Sequence, residues 1–232
     1  MLSPCKRHHV MNALTALSKF LGVYQSFRDL LKNYGLKWSV NSDDLIIARI
    51  TKPQDSTELF RWVKKIKRRK PGFSDFLDFI TVSGLRFSEA IESYNLIINL
   101  ACQGQIDRYY ISEKAVLEHF RFKHIFIRRT KKAFITFVSR EIIEKIGGDQ
   151  NLTRSVITKQ LQRINVNLRF NDLRELWGSY MTKHLSQPEI DFLQGRTSTS
   201  VFMKNYFNPA WISDLKERVL KAEKEILKNT QG

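Results

Sequence analysis

The segment Thr81-Val82-Ser83-Gly84-Leu85-Arg86-Phe87-Ser88-Glu89-Ala90 ends one apolar helix and opens the next. Phe73 to Val82 is a nearly continuous apolar run, and Ser83-Gly84-Leu85-Arg86 supplies turn chemistry between the two helices. Glu89 follows Arg86 by three residues, a spacing at which a carboxylate holds a guanidinium by a charged hydrogen bond. Upstream, Pro71-Gly72 breaks the chain. Before it, Ser56 or Thr57 caps a helix whose buried side is Leu59, Phe60, Val63 and Ile66. That helix ends in Lys64, Lys65, Lys67, Arg68, Arg69 and Lys70, six basic residues in seven positions. Such a run is either a solvated helix end, where cations suit the dipole, or a contact for phosphates.

Downstream the period changes. His124 to Arg129 and Ala133 to Ser139 are β-branched or aromatic runs around Thr130-Lys131-Lys132, which predicts a β-hairpin. After Gly147-Gly148 the pattern is helical over 153–163, 171–184, 188–195, 199–207 and 211–228. The last is amphipathic, with Leu215, Val219, Ala222 and Ile226 in line. At the other end, residues 8–36 read as one long helix, and 37–56 as a linker around the short apolar run Leu45 to Ile50. The expected fold class is therefore mainly α with a small antiparallel β-sheet. Trp38, Trp62, Trp177 and Trp211 read as packing residues.

Composition narrows the function classes. The 232 residues carry 39 Lys+Arg against 23 Asp+Glu, a net charge of +16, and 42% hydrophobic residues. That is too apolar for a disordered chain. Cys5 and Cys102 make no disulfide framework and fit a reducing, cytoplasmic setting. No run approaches the roughly 20 apolar residues of a membrane span, and no signal-type segment opens the chain. The five histidines (8, 9, 119, 124, 184) do not fall at metal-ligand spacings, and no P-loop or Gly-x-Ser-x-Gly elbow is present, so no cofactor is expected. A polyanion, most simply nucleic acid, is the expected partner, rather than a membrane.

Four segments in order resemble the tyrosine recombinases of the phage-integrase family. Thr81 to Ala90 looks like that family's first arginine box. Arg128-Arg-Thr-Lys-Lys-Ala-Phe-Ile-Thr-Phe137 looks like the hairpin that carries its lysine. Asn171-Asp-Leu-Arg174 stands at its His-x-x-Arg, and Leu193-Gln-Gly-Arg-Thr-Ser-Thr-Ser-Val-Phe-Met-Lys-Asn-Tyr206 at its tyrosine box. The polar residue at Asn171 and the Gln194-Gly195-Arg196 run resemble the integrases of archaeal spindle-shaped viruses. The resemblance implies a tyrosine recombinase catalytic domain over 51–232, preceded in 1–50 by the end of a helical core-binding domain and its linker. The short chain would then be a fragment, a split gene product or a minimal enzyme.

The same resemblance implies site-specific DNA integration through a covalent 3′-phosphotyrosine. Arg86, Arg174 and Arg196 would grip the scissile phosphate with Asn171 beside them. Lys131 (or its neighbour Lys132) would protonate the leaving 5′-hydroxyl, and Tyr206 would be the nucleophile. Arginine suits such a phosphate clamp because its planar fork holds two oxygens and keeps its charge. An amide at Asn171 cannot accept and return a proton. Lys64, Lys65, Lys67, Arg68, Arg69, Lys70, Arg128, Arg129 and Lys132 are candidate contacts to the flanking DNA backbone, and Glu89 a structural support. Double-stranded DNA at an attachment site is the expected partner, with self-association into a dimer or tetramer, in which helix 211–228 is a candidate docking element. The competing readings are a type IB topoisomerase, a non-catalytic DNA-binding remnant, and a helix-turn-helix regulator built from 153–163 and 171–184.

Overall fold

A computed structural model of the chain describes residues 4–36, 47, 51, 56–128, 131–164, 169–196, 205 and 207–231. It divides into two compact units, Met1–Asp55 and Ser56–Gly232. Trp38 and most of the expected linker, including the run Leu45 to Ile50 apart from Ile47, lie outside the described residues, as do Arg129, Tyr206 and most of the expected helix 199–207.

The segment expected as one helix over 8–36 is two, α1 (Pro4–Phe20) and α2 (Tyr24–Asn33). The chain turns at Gly22, where Gly22 N–H bonds to the carbonyl of Lys19 and Val23 N–H to that of Ser18. This pair of bonds closes a helix and satisfies its last carbonyls. The apolar repeat continues across the break, which is why it reads as a single helix in sequence.

The second unit is mainly helical with a small three-stranded antiparallel sheet. Among the described residues its helices include α3 (Ser56–Arg69), α4 (Ser74–Ser83), α5 (Phe87–Cys102), the short α6 (Lys123–Phe126), α7 (Arg140–Gly147), α8 (Arg154–Arg163), α9 (Phe170–Met181), α10 (Gln187–Leu193) and α11 (Leu215–Thr230). The strands are β1 (Tyr110–Ile111), β2 (Val116–Leu117) and β3 (Thr136–Phe137), in the order β1-β2-β3. Helix α4 is the hub. It buries Phe76, Leu77, Phe79, Ile80, Thr81, Val82 and Ser83, and packs against α3, α5, α7, α9 and α11. Apart from the partly exposed Ser74, Asp75 and Asp78, its side chains are those of a helix inside a core.

The sheet is not the expected long hairpin. Residues 123–126 coil into α6 because that turn buries Phe126 against the rings of Tyr109 and His119. Burial outweighs the strand preference of the segment. The hairpin stem is present: Ile127 and Lys132 pair as an antiparallel bridge, and Arg128 N–H bonds to Lys131 O at 2.9 Å. The register pairs Leu117 with Thr136 and Val116 with Phe137. A buried chain of hydrogen bonds runs from Ser93 through Tyr109 and His119 to Thr136, so β3 is pinned to α5. Burial drives the His119 pKa down to about 3, so the ring is neutral.

Helix α11 folds back on its own unit. Leu215, Val219, Ala222 and Ile226 are all buried there. The stripe on 211–228 is thus covered within its own domain and does not offer a free docking face. Trp211, expected to pack, is instead 84% exposed in a short 3-10 turn at Pro209–Trp211. Two of the polar ties of α11 join it to the starts of α10 and α7. Arg218 donates to Glu189, whose Oε2 also accepts the N–H of Ser186 at the start of α10. Arg218 thereby holds the Glu189 carboxyl down at about pKa 2. Glu223, 1% exposed, accepts the N–H of Ser139 at the start of α7 with both oxygens, at 3.2 and 3.1 Å.

Burial pushes the Glu223 pKa up to about 7, against the pull of the Ser139 hydrogen bonds. The folded state therefore holds a proton that the unfolded chain has released, from the ordinary carboxyl range to about pH 7. Stability from this group falls as pH rises through that window. Glu223→Gln should gain about 1–3 kcal/mol relative to the parent protein between pH 5 and pH 8. Urea unfolding at the two pH values measures it, and an unchanged difference would contradict it.

Candidate functional site

Two helix N-termini lie side by side in the second unit, those of α5 and α9. Phe87 and Phe170, the first residue of each, stack with ring centroids 4.0 Å apart and planes 3° apart. The aligned peptide dipoles make such ends electropositive. Arg86 immediately precedes α5 and is held by Glu89. Oε1 of Glu89 accepts from Arg86 Nη1 at 2.8 Å, and its Oε2 accepts the Arg86 backbone N–H at 3.1 Å. Glu89 is 1% exposed, so its expected supporting role has a definite geometry. It also faces Arg128 of the hairpin at 3.5 Å.

One turn into α9, Arg174 reaches across the site. Its Nη1 donates to Gly84 O at 2.7 Å and its Nη2 to Gln194 O at 2.6 Å. Gln194 answers with Nε2 to Arg174 O at 3.2 Å. One guanidinium thus joins the turn before α5 to the turn after α10. Burial lowers its pKa to about 10, with the charge of Arg86 and then that of Arg196 acting the same way and Glu89 opposing them. Arg174 stays charged at neutral pH, in a site where like charges press on it.

Both turns need glycine. Gly84 has φ +64°, and a Cβ there would lie 2.6 Å from the Trp177 ring. Trp177, a turn beyond Arg174 on α9, also donates Nε1 to Val82 O at 2.6 Å. The Gly84-Leu85-Arg86 turn is therefore seated on an indole. At the other end Gly195, φ +65°, closes α10 by donating to Phe192 O, while Arg196 N–H bonds to Asp191 O at 2.7 Å. That closure turns the chain between the buried Gln194 and the exposed Arg196. A Cβ on Gly195 would fall 1.6 Å from Lys132 O. The Arg196 turn and the hairpin stem are in direct backbone contact.

The structure thus brings Arg86, Arg174 and Arg196 into one electrostatic neighbourhood, with Arg128 beside them. Among the described residues, the carboxylates paired with them are Glu89, already shared between Arg86 and Arg128, and Asp191, 3.8 Å from Arg196. Guanidiniums outnumber carboxylates, an arrangement suited to gripping an anion. Lys131 sits exposed in the hairpin loop, and Lys132 is half-buried in its stem. Asn171 is exposed in the first turn of α9, whereas Arg174 is buried. Tyr206 and Arg129 lie outside the described residues.

The basic run on α3 divides. Lys65 and Arg68 are exposed, and Lys64 and Lys70 half-buried. Lys67 is engaged, donating to both oxygens of Asp78 at 2.8 Å, while Thr230 Oγ1 donates to the same carboxylate. Arg69 Nη1 caps Ile164 O at 3.2 Å. Helix α9 buries Leu173, Arg174, Leu176, Trp177 and Met181 and leaves Asn171, Glu175 and Ser179 exposed.

Gln194 and the platform role of Trp177 were not singled out in the sequence. Gln194 is 2% exposed, and nothing in the Leu193-Gln194-Gly195-Arg196 run signals that burial. Among the described residues no cluster of His, Cys, Asp and Glu is arranged to hold a metal ion, and no helix is long and apolar enough to cross a membrane. Compared with protein-family models, curated proteins and solved structures, the chain matches none.

Arg174→Lys keeps the charge but cannot reach both carbonyls. One of them is left buried without a donor, and the variant should lose about 1–3 kcal/mol in chemical unfolding. An unchanged midpoint and slope would show that the two bonds do not hold the site together.

Proposed function

We propose that this chain is the catalytic part of a tyrosine recombinase that cleaves and rejoins DNA strands without a metal or nucleotide cofactor. The observation that carries this reading is the convergence of Arg86, Arg174 and Arg196, which come from segments far apart in sequence. Phosphodiester transfer builds charge on the non-bridging oxygens, and preorganised cations aimed at them lower the barrier. In the proposed step the Tyr206 phenolic oxygen bonds to phosphorus and its proton passes to water. The bond from phosphorus to the 5′ oxygen breaks, its electron pair stays on that oxygen, and the Lys131 ammonium supplies the proton. The reverse sequence rejoins the strand. Recombinase architecture, integration at an attachment site, assembly into a dimer or tetramer, and the likeness to spindle-shaped virus integrases belong to the same proposal.

The other tyrosines of the second unit suit the nucleophile's role poorly. Burial raises the pKa of Tyr94 and Tyr109, and pushes Tyr110 up to about 12, the wrong direction for forming phenolate. Tyr180 stands six residues, or about 9 Å along the helix, beyond Arg174. It packs edge-on to Phe60, with its hydroxyl accepting from Asn229.

A nicked suicide duplex tests the reading. The parent protein should form an SDS-resistant adduct in EDTA, Tyr206→Phe none, and Arg86→Ala or Arg196→Ala about 10²–10³-fold less in rate. No adduct on any substrate would leave a non-catalytic DNA-binding remnant. An adduct with Tyr206→Phe would overturn the assignment of the nucleophile, and strict dependence on Mg²⁺ would overturn the metal-free step.

The division of the α3 cations gives a second test. Each phosphate contact contributes about 0.9 to the slope of log affinity against log salt. Lys65→Ala and Arg68→Ala should each lower that slope by roughly one contact, on any duplex sequence. Lys67→Ala should leave the slope nearly unchanged and lower the melting temperature instead. Fluorescence anisotropy across a salt series reads the slope, and equal slope changes in all three variants would contradict the division.

A further inference from the structure

The geometry points to Gly195 as a positioning residue for the lysine hairpin, so that the proton donor and the Arg196 clamp are set by one rigid contact. The inference rests on the recombinase reading above and specifies how two of its parts are linked. The hairpin stem is held from both sides. On one side Arg128 faces Glu89, the carboxylate that also holds Arg86. On the other, Lys132 O lies so close to Gly195 that no side chain fits between them. Phe134, just beyond the stem, stacks on Phe192 of α10 with the rings 1° from parallel and 5.8 Å apart. The bridge between Ile127 and Lys132, with the bond from Arg128 N–H to Lys131 O, closes the loop above these three anchors.

Lys131 is therefore presented from a stem fixed to both arginine turns. Methyl-sized bulk at Gly195 must displace the Lys132 peptide, and with it the base from which Lys131 projects. The Arg174 bond to Gly84 O lies outside this turn and the one to Gln194 O borders it, while the group a side chain at Gly195 meets first is the Lys132 peptide. The expected defect of Gly195→Ala is thus in proton delivery to the leaving oxygen more than in phosphate binding. General-acid catalysis is worth about 10²–10⁴-fold, and a thiolate leaving group has little need of it.

The test compares two suicide duplexes, one ordinary and one with sulfur in place of the bridging 5′ oxygen. Gly195→Ala should form adduct about 100-fold more slowly than the parent on the oxygen duplex and within about 5-fold of it on the sulfur duplex. Combining it with Lys131→Ala should add little to the Lys131→Ala loss on oxygen. Arg196→Ala, by contrast, should lose on both duplexes. Phe134→Leu loosens the stem without touching the turn, and should show the same sulfur-selective pattern in smaller measure; it carries the test where Gly195→Ala does not fold. Equal losses on both duplexes, or no loss on oxygen, would overturn the positioning role. If the parent protein attacks neither duplex, the recombinase reading itself fails, an outcome distinct from either of these.

Discussion

The guanidinium of Arg174 is buried, charged and spread between two backbone carbonyls, and the other parts of the candidate site are placed relative to it. Gly84 O fixes the turn that sends Arg86 into α5, and Gln194 O fixes the turn that presents Arg196. Taking a charge out of water is expensive, and hydrogen bonds to carbonyl dipoles offset only part of that cost. Burial lowers the Arg174 pKa, and the charges of Arg86 and Arg196 act in the same direction. An anion seated among the three would relieve this repulsion.

Around that centre the site is built from close backbone approaches. Trp177 is flat beneath Gly84, and Lys132 O lies against Gly195. Neither contact tolerates a side chain, so the glycines set distances as much as they permit turns. Outside the centre, Glu189 and Glu223 join α11 to the starts of α10 and α7, which fixes the frame from which these turns project. The net charge of +16 is accordingly not uniform in use: part converges, part is exposed on α3 and α8, and part, such as Lys67, is neutralised inside the fold.

Helices were legible in the sequence where an apolar period ran uninterrupted, as in α3, α4, α8 and α11. The break at Gly22 was not, because the apolar spacing carries across it. The sheet was misplaced because two-residue strands such as Tyr110–Ile111 and Val116–Leu117 are too short for alternation to register. The run from His124 had the strand pattern but was diverted by the burial of Phe126. For the site, the residue types pointed to Arg86, Arg174, Arg196 and Glu89, since phosphate chemistry constrains them strongly. Gln194 was missed because its contribution is a backbone carbonyl, which any residue has. Trp211 was misread because its exposure depends on where the turn at Pro209 points it.

The central claim is that the three guanidiniums form one anion site. Side-chain NMR of the ¹⁵N-arginine-labelled protein during titration with tungstate, a mimic of the phosphoryl group, tests it most directly. The account predicts that the Nε–Hε signals of Arg86, Arg174 and Arg196 shift together along one saturating curve, while that of Arg218, committed to Glu189, stays still. Three unrelated curves, or an Arg174 signal indifferent to the anion, would contradict it.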